Sequence, residues 1–530
     1  MNVLGINAVF HDPAAALVVD GEIVAAAEEE RFTRRKHGKP CVPFSTWELP
    51  ERAVAFCLER AGLSPEQLDA VAYSYDPSLA PAKAGIIDDE WEGLRTLYAE
   101  RAPLFLSAAL PGLDARRVRF VPHHVAHAAS AYLAGPWRDT AVLVLDGRGE
   151  RGSHLSGHAR DGRLEELSAQ RLPHSLGLLY EELTVRCGFM RSSDEYKVMA
   201  LASYGEPRYL AEFRELVQSD GRGGFRTWPV DWSSYGDDAD LAASVQARLQ
   251  EVLLELAEWL HAETGNDRLV MAGGVALNCV ANSYLARHGP FSEVWVQPAA
   301  GDAGTALGSA AWLAEALGDR VVPMTSAALG RGWDDRALED WLTAARVKFE
   351  RPADIARESA HVISAGGIVA WFQGRSEFGP RALGHRSLLA DARSAATTRR
   401  LNDVKGREQF RPVAPMVLAE RAYEIFDGPL PSPHMLFTHR VLPEWAERIP
   451  AVVHVDGSAR AQTVDRAEEP LTARLLDFVE RETGVPVVVN TSLNTAGRPM
   501  VDDPRDALEC FGSGPIDALA LGPFLVRRGS

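Results

Sequence analysis

Short apolar runs punctuated by Asp-Gly pairs open this chain and return in its middle. Val3 to Asn7 reads as a strand, and AAALVVDGEIVAAAEEERF reads as two more strands turning at Asp20-Gly21. The same grammar recurs in AVLVLDGRGERGSHLSGHARDGRLEELSAQR, where a strand ends at Asp146 and the next two turn at Asp161-Gly162. The recurrence predicts an internal duplication: two α/β lobes whose first strands direct their polar ends at a shared cleft. Helical periodicity covers Leu49 to Leu63 and Asp88 to Ala109, and Ser64-Pro65 reads as a further helix start. LVMAGGVALN and VWVQPAAGDAGTALGSA each pair a strand with a glycine-marked helix start. A charged stretch at 330–358 then precedes a new α/β alternation that runs to the end of the sequence. The expected division is residues 1–345 and 346–530.

Composition narrows the classes. The 530 residues are enough for two or three cores, and 73 acidic against 56 basic side chains give a formal charge of -17, which disfavours a nucleic-acid partner. Five scattered cysteines (Cys41, Cys57, Cys187, Cys279, Cys510) without a CxxC fit neither a disulfide framework nor a structural zinc site. No basic leader and no membrane-length apolar run is present, so the expectation is a cytoplasmic protein. Against this acidic balance, Arg31, Arg34, Arg35, Lys36 and Lys39 form a basic run, either a solvated face or a phosphate grip.

Candidate chemistry centres on VPHHVAHAASAYLAGPWRDTAVLVLDG. His123 and His127 stand four apart, on one face of a helix, and Asp146 closes the following strand. Two nitrogens and one oxygen suit zinc or iron(II), although paired histidines also decorate helices without binding anything. Asp302 offers a fourth ligand, with a helix N-cap as its alternative role. His11 enters the same cleft from the first lobe. Asp194, Glu195 and Lys197 place carboxylates and an ammonium together, fit for taking a proton from an alcohol or for a plain ion pair. Gly273 and Gly274, at a strand-to-helix junction, allow close approach of a nucleotide.

In the second half, Arg375, Arg381, Arg386, Lys405, Arg407, Arg411, His454, Ser458, Arg460, Asn490, Ser492 and Asn494 interrupt apolar segments beside Gly and Pro. Guanidiniums in such places make a forked, anion-binding surface for phosphate or an acyl phosphate.

The chain resembles the O-carbamoyltransferases of nodulation and antibiotic biosynthesis. The motifs that carry the likeness run in order through GINAVFHDPAAALVVDG, AEEERFTRRKHG, HHVAHAASAY, SLGLLYEELTVRCGF, DEYKVMALASYG, GGVALN, GDAGTALGSA, GRSEFGPRALGHRS, NDVKGREQFRPVAP, HVDGSARAQTV and NTSLNTAGRP. The resemblance implies an α/β protein with duplicated ribonuclease H-like, actin-type lobes similar to the tRNA threonylcarbamoyl transferase, followed by a YrdC-like domain. It implies that the second domain makes carbamoyl-adenylate from carbamoyl phosphate and ATP, the latter as its magnesium complex, and that the lobes pass the carbamoyl group to a hydroxylated small molecule such as a sugar, aminoglycoside or polyketide.

Residue by residue, the resemblance implies that His123, His127, Asp146 and Asp302 hold iron(II) or another divalent ion. Gly273, Gly274 and Asn278 meet the adenosine, and His11 polarises the carbamoyl carbonyl. Asp194 or Glu195 takes the acceptor's proton, with Asp194 slightly preferred. Arg381, Lys405, Arg411, Arg460, Asn490 and Ser492, with Met435 close by, receive carbamoyl phosphate and ATP. A homodimer is one candidate assembly. The rival readings are a sugar-kinase-like phosphotransferase and a non-catalytic nucleotide-binding module. A kinase has no use for the paired histidines or the second domain.

Overall fold

The computed structural model describes residues 1–38, 48–80, 89–495 and 497–528; Lys39, Cys41 and Asp88 lie outside them. The chain divides into two units, Met1–Thr325 and Ser326–Ser530.

The first unit contains two five-stranded sheets of the same design. One is built from β1 (Asn2–Asn7), β2 (Ala14–Val19), β3 (Glu22–Glu28), β4 (Ala70–Tyr73) and β5 (Val118–Phe120). The other uses β6 (Asp139–Leu145), β7 (Gly152–Arg160), β8 (Arg163–Arg171), β11 (Arg268–Ala272) and β12 (Glu293–Val296), with β9 (Val217–Ser219) and β10 (Phe225–Thr227) forming a separate hairpin. The orders are β3-β2-β1-β4-β5 and β8-β7-β6-β11-β12, in each case an antiparallel meander followed by two parallel strands. The duplication read from the sequence is therefore present strand for strand. Both meander turns use left-handed pairs, Asp20-Gly21 (φ 50 and 84) and Asp161-Gly162 (φ 47 and 80), the conformation that follows the twist of a tight hairpin.

Strands β1 and β6 occupy equivalent central places, and their apolar side chains are buried. Two helices, His123–Tyr132 and Ala303–Leu317, meet along a seam of small residues. A Cβ on Gly308 would collide with the Ala126 carbonyl, so the close approach of the helices depends on that glycine. Ala126, Ala129, Val142, Val144, Val270 and Ala310 form one buried cluster with Val3 and Ala72. Ser64-Pro65 opens only a single 3-10 turn, Pro65–Gln67, because the chain enters β4 at Ala70 before a helix can extend.

The second unit is a mixed sheet of β13 (Ile368–Phe372), β14 (Arg386–Asp391), β15 (Ala414–Leu418), β19 (Gln462–Val464), β20 (Val487–Ser492), β21 (Ala518–Leu521) and β22 (Phe524–Arg527). A small sheet of β16 (Phe426–Asp427), β17 (His439–Val441) and β18 (Ser458–Ala459) stands beside it. The main order is β19-β15-β20-β14-β13-β21-β22. Along β13, Ile368, Ala370 and Phe372 join one core, while Val369 and Trp371 join the other, so both faces are covered.

The division falls after Thr325, earlier than the expected boundary after residue 345. The helix Asp335–Ala344 buries Leu338 and Leu342 in the core of the second unit, and the Gly330 and Phe378 amides pair with the Ser376 and Ala327 carbonyls. Its charged outer face is what made this stretch read as a linker. Among the described residues, Cys57, Cys187, Cys279 and Cys510 are free thiols, and no helix is long and apolar enough to cross a membrane.

Candidate metal centre and anion site

The elements of the first unit bring His123, His127, Asp146 and Asp302 together, all four buried. The histidines lie one turn apart on the His123–Tyr132 helix, Asp146 follows β6, and Asp302 precedes the Ala303–Leu317 helix. His123 Nε2 is 3.5 Å from Asp146 Oδ2 and 3.6 Å from Asp302 Oδ1. His127 Nε2 is 3.7 and 3.5 Å from the same two oxygens.

These spacings exceed ordinary hydrogen bonds and match the roughly 3.4 Å edge expected for ligand atoms about 2.1 Å from a common tetrahedral ion. Neither Nε2 has a hydrogen-bond partner, although both are buried. Asp302 stands at the N-cap position of its helix yet makes no capping hydrogen bond, so the alternative role for it is not used. A buried set of two carboxylates and two imidazoles whose Nε2 atoms have no hydrogen-bond partner fits a divalent cation.

The surroundings orient these ligands. His123 Nδ1 lies 3.2 Å from the Ser74 carbonyl oxygen, which makes Nδ1 the proton-bearing nitrogen and leaves Nε2 to face the carboxylates. The Gly274 amide donates to Asp146 Oδ1 at 3.0 Å. Glu150 Oε1 accepts the amides of His123 at 2.9 Å and Asp76 at 2.8 Å. Burial opposes charge on Asp146 and Asp302, but the neighbouring imidazoles hold both carboxyls well below the ordinary range.

His11 is beside this centre, with Nε2 3.8 Å from Asp302 Oδ2 and Nδ1 2.8 Å from Asp12 Oδ2. The two carboxylates considered for proton transfer differ in their surroundings. Asp194 stands at the N-cap position of the Glu195–Leu201 helix without a side-chain capping bond and is paired with Lys197 at 3.1 Å. Glu195 is mostly buried, and burial, reinforced by the Glu181 carboxylate, pushes its carboxyl up to about 7.

Of the nucleotide candidates, Gly273 (φ 93) packs so closely on β6 that a Cβ would strike the Leu145 carbonyl. The Asn278 side chain caps the following helix through the Ala281 amide and pairs with Gln246, which also receives the Tyr180 hydroxyl. In the basic run, Arg31 is buried between Glu28 and Glu30 at 3.1 and 3.3 Å.

In the second unit, Lys405 is buried and donates to the Ser492 carbonyl at 2.5 Å, to Ser492 Oγ at 3.0 Å and to Asn494 Oδ1. Asn490 donates to the Ala382 carbonyl at 3.1 Å and to Gln462 Oε1 at 2.6 Å. It thereby ties the segment carrying Arg381 to the one carrying Arg460. Met435 is buried in a left-handed conformation (φ 56), and Arg411 lies 3.5 Å from Glu408. Two of the arginines singled out for anion binding serve the fold instead. Arg386 is fully buried, lies over the Phe372 ring and donates to the Gln373, Gly374, His385 and Arg331 carbonyls. Arg375 donates to the Gly330 and Leu329 carbonyls.

Sequence reasoning passed over Glu150, Glu181, His37 and His124. His124 Nε2 is 3.8 Å from Asp146 Oδ2, and burial lowers that imidazole to about 3. Its place beside His123 in HHVAH was the one available signal.

Comparison with known proteins covers both units. The family described as "Carbamoyltransferase N-terminus" matches residues 2–234 and 229–311, and "Carbamoyltransferase C-terminus" matches residues 360–528. The chain is 36% identical to nodulation protein NolNO of Sinorhizobium fredii, covering 98% of this chain and 80% of that protein. It is 33% identical to nodulation protein U of Rhizobium tropici, covering 96% and 93%. Among solved structures it is similar to component A of the (R)-2-hydroxyglutaryl-CoA dehydratase of Acidaminococcus fermentans, with 15% identity and a TM-score of 0.35 over 59% of this chain and 97% of that one.

Proposed function

The chain belongs to the carbamoyltransferase family, and on that premise we propose that it is an ATP-dependent O-carbamoyltransferase acting on a hydroxylated small molecule. The observation that carries the reading is the buried set of His123, His127, Asp146 and Asp302, with its unsatisfied imidazole nitrogens, next to His11. We assign the two lobes to the ribonuclease H-like class and the second unit to the YrdC-like class.

In this reading the second unit takes carbamoyl phosphate and ATP. Water releases phosphate from the donor, and the resulting carbamate oxygen attacks the α-phosphorus with loss of pyrophosphate, giving carbamoyl-adenylate. Lys405, Arg381, Arg411 and Arg460 offset the charge of the phosphates, and Asn490 and Ser492 supply polar contacts. ATP enters as its magnesium complex.

The lobes carry out transfer. His123, His127, Asp146 and Asp302 would hold a divalent ion, iron(II) being the family expectation, which would supply Lewis-acid charge to the transfer. Gly273 and Gly274 let the nucleotide approach the backbone beside Asn278. His11 polarises the carbamoyl carbonyl. The acceptor oxygen bonds to the carbamoyl carbon, the bond from that carbon to the phosphate oxygen breaks, and AMP leaves with the electron pair. Glu195 takes the acceptor's proton. Its proton affinity near neutrality suits a general base, whereas Asp194 is already engaged in an ion pair with Lys197.

The test is incubation with labelled carbamoyl phosphate, ATP and iron(II) or zinc against a panel of sugars, aminoglycosides and polyketides. Carbamoylated product with equimolar AMP and pyrophosphate supports the reading. ADP with a phosphorylated product would replace it with a kinase, and nucleotide binding without turnover would replace it with a binding module.

A further inference from the structure

One turn of the chain links the carbonyl-polarising His11 to the base Glu195. Asp12 meets His11 Nδ1 through Oδ2 at 2.8 Å and His37 Nδ1 through Oδ1 at 2.7 Å. His37 Nε2 lies 3.1 Å from Ser193 Oγ, across 156 residues of sequence. The preceding residue, Ser192, donates its amide to Glu195 Oε1 at 2.7 Å and its hydroxyl to Glu181 Oε1 at 3.3 Å. Consecutive serines thus connect the His11 side of the cleft to the Glu195 side.

Two features set this arrangement apart from an incidental surface network. Asp12, His37 and Ser192 all adopt left-handed backbone conformations, with φ 53, 60 and 54; Asp and His enter that region more readily than most residues, whereas a serine seldom holds it unless its surroundings impose it. Glu181 and Glu195 are largely buried carboxyls on adjoining helices, where burial opposes charge on both and Arg191, 3.6 Å from Glu181 Oε2, offsets part of that cost. Glu181 also lies at the strand end of the metal centre: its Oε1 is 3.4 Å from where a Cβ on Gly147, the residue after Asp146, would stand.

We propose that the Ser192–Ser193 turn is a positioning device that sets the Glu195 carboxylate in register with His11, and that Glu181 is the buried post holding it. The inference rests on the transfer reading for its consequence, but its structural content can be tested separately. Glu181 and Ser192 are positioning residues, because they act through Glu195 and need not touch the acceptor.

The experiment compares wild type with Glu181→Leu, Glu181→Gln and Ser192→Ala in the full chain. Amide hydrogen exchange over residues 190–196 is read together with AMP release from carbamoyl phosphate and ATP, with water as the acceptor. Glu181→Leu should speed exchange in that segment and lower the AMP rate about tenfold or more, with KM for carbamoyl phosphate unchanged. Glu181→Gln keeps an acceptor for the Ser192 hydroxyl and should restore both readouts to within about threefold of wild type. Ser192→Ala, a smaller change that spares the fold if Glu181→Leu does not, should reproduce the loss in milder form.

Unchanged exchange in both Glu181→Leu and Ser192→Ala would overturn the proposal. So would a Glu181→Gln rate as low as that of Glu181→Leu. Absence of AMP release from wild type would instead count against the transfer reading, while the exchange measurement would still decide the turn.

Discussion

The two units hold their charged groups in opposite ways. In the first, the Nε2 atoms of His123 and His127 are buried without a hydrogen bond, facing carboxylates 3.5–3.7 Å away. In the second, Lys405 is already bonded to Ser492 and Asn494, and Asn490 already donates to Ala382 and Gln462. A buried polar group left unmade is costly, so the first arrangement calls for a ligand that completes it. Lys405 is satisfied without one. An anion that reaches it must displace protein partners, and only the difference between old and new bonds adds to affinity.

The sharpest way to break this contrast is to remove a group from the incomplete site. Asp302→Asn and His127→Ala should each weaken divalent-metal binding by more than about 100-fold, since loss of outer partners alone typically costs 10–100-fold. Calorimetric titration of the chelator-stripped protein with zinc or iron(II) measures this, and carbamoyl transfer should become undetectable. Tight binding retained by Asp302→Asn would mean that the four groups are not a metal site.

Next in size is the carboxylate beside that site. Glu195→Gln should lower transfer by about a hundredfold, within the range for removal of a general base, while Asp194→Asn should lower it severalfold at most. A base works only when deprotonated. With the Glu195 carboxyl pushed up to about 7, the wild-type transfer rate should therefore rise with pH through about 7 and level off above it. A flat profile from pH 5.5 to 8.5, measured with donor activation kept in excess, would remove Glu195 from that role.

At Lys405 the effect is smaller. Lys405→Met should raise KM for carbamoyl phosphate about tenfold, because the lysine must give up Ser492 and Asn494 to meet the substrate. Initial rates against donor concentration test it; a change in kcat alone would place Lys405 outside the binding step.

The contrast also explains what could be read from the chain. The i, i+4 spacing of His123 and His127 and the strand ending at Asp146 follow local periods, so they were legible, as were the two left-handed Asp-Gly turns of the duplicated meanders. Glu150 and His37 were not, because their partners lie 27 and 156 residues away and no local pattern records such a meeting. Arg375 and Arg386 looked like anion ligands because a guanidinium beside glycine reads the same whether it meets a phosphate or a backbone carbonyl. The boundary shifted for a related reason. Leu338, Trp341 and Leu342 meet the core of the second unit, but Asp335, Arg336, Glu339 and Asp340 on the same helix made the stretch read as charged.

The smallest effect probes how the incomplete site is held. One oxygen of Glu150 accepts the Asp76 amide from the end of the first lobe's sheet and the His123 amide at the start of the ligand-bearing helix. Glu150→Ala strands both donors and loosens the helix end that carries His123, so zinc affinity should fall by about tenfold, the low end for an outer partner. Glu150→Gln retains an acceptor oxygen, and its affinity should stay within about threefold of wild type. If the two variants bind zinc equally well, His123 is held by its Ser74 contact and helix packing alone, and the first unit depends less on its surrounding hydrogen bonds than the contrast with Lys405 implies.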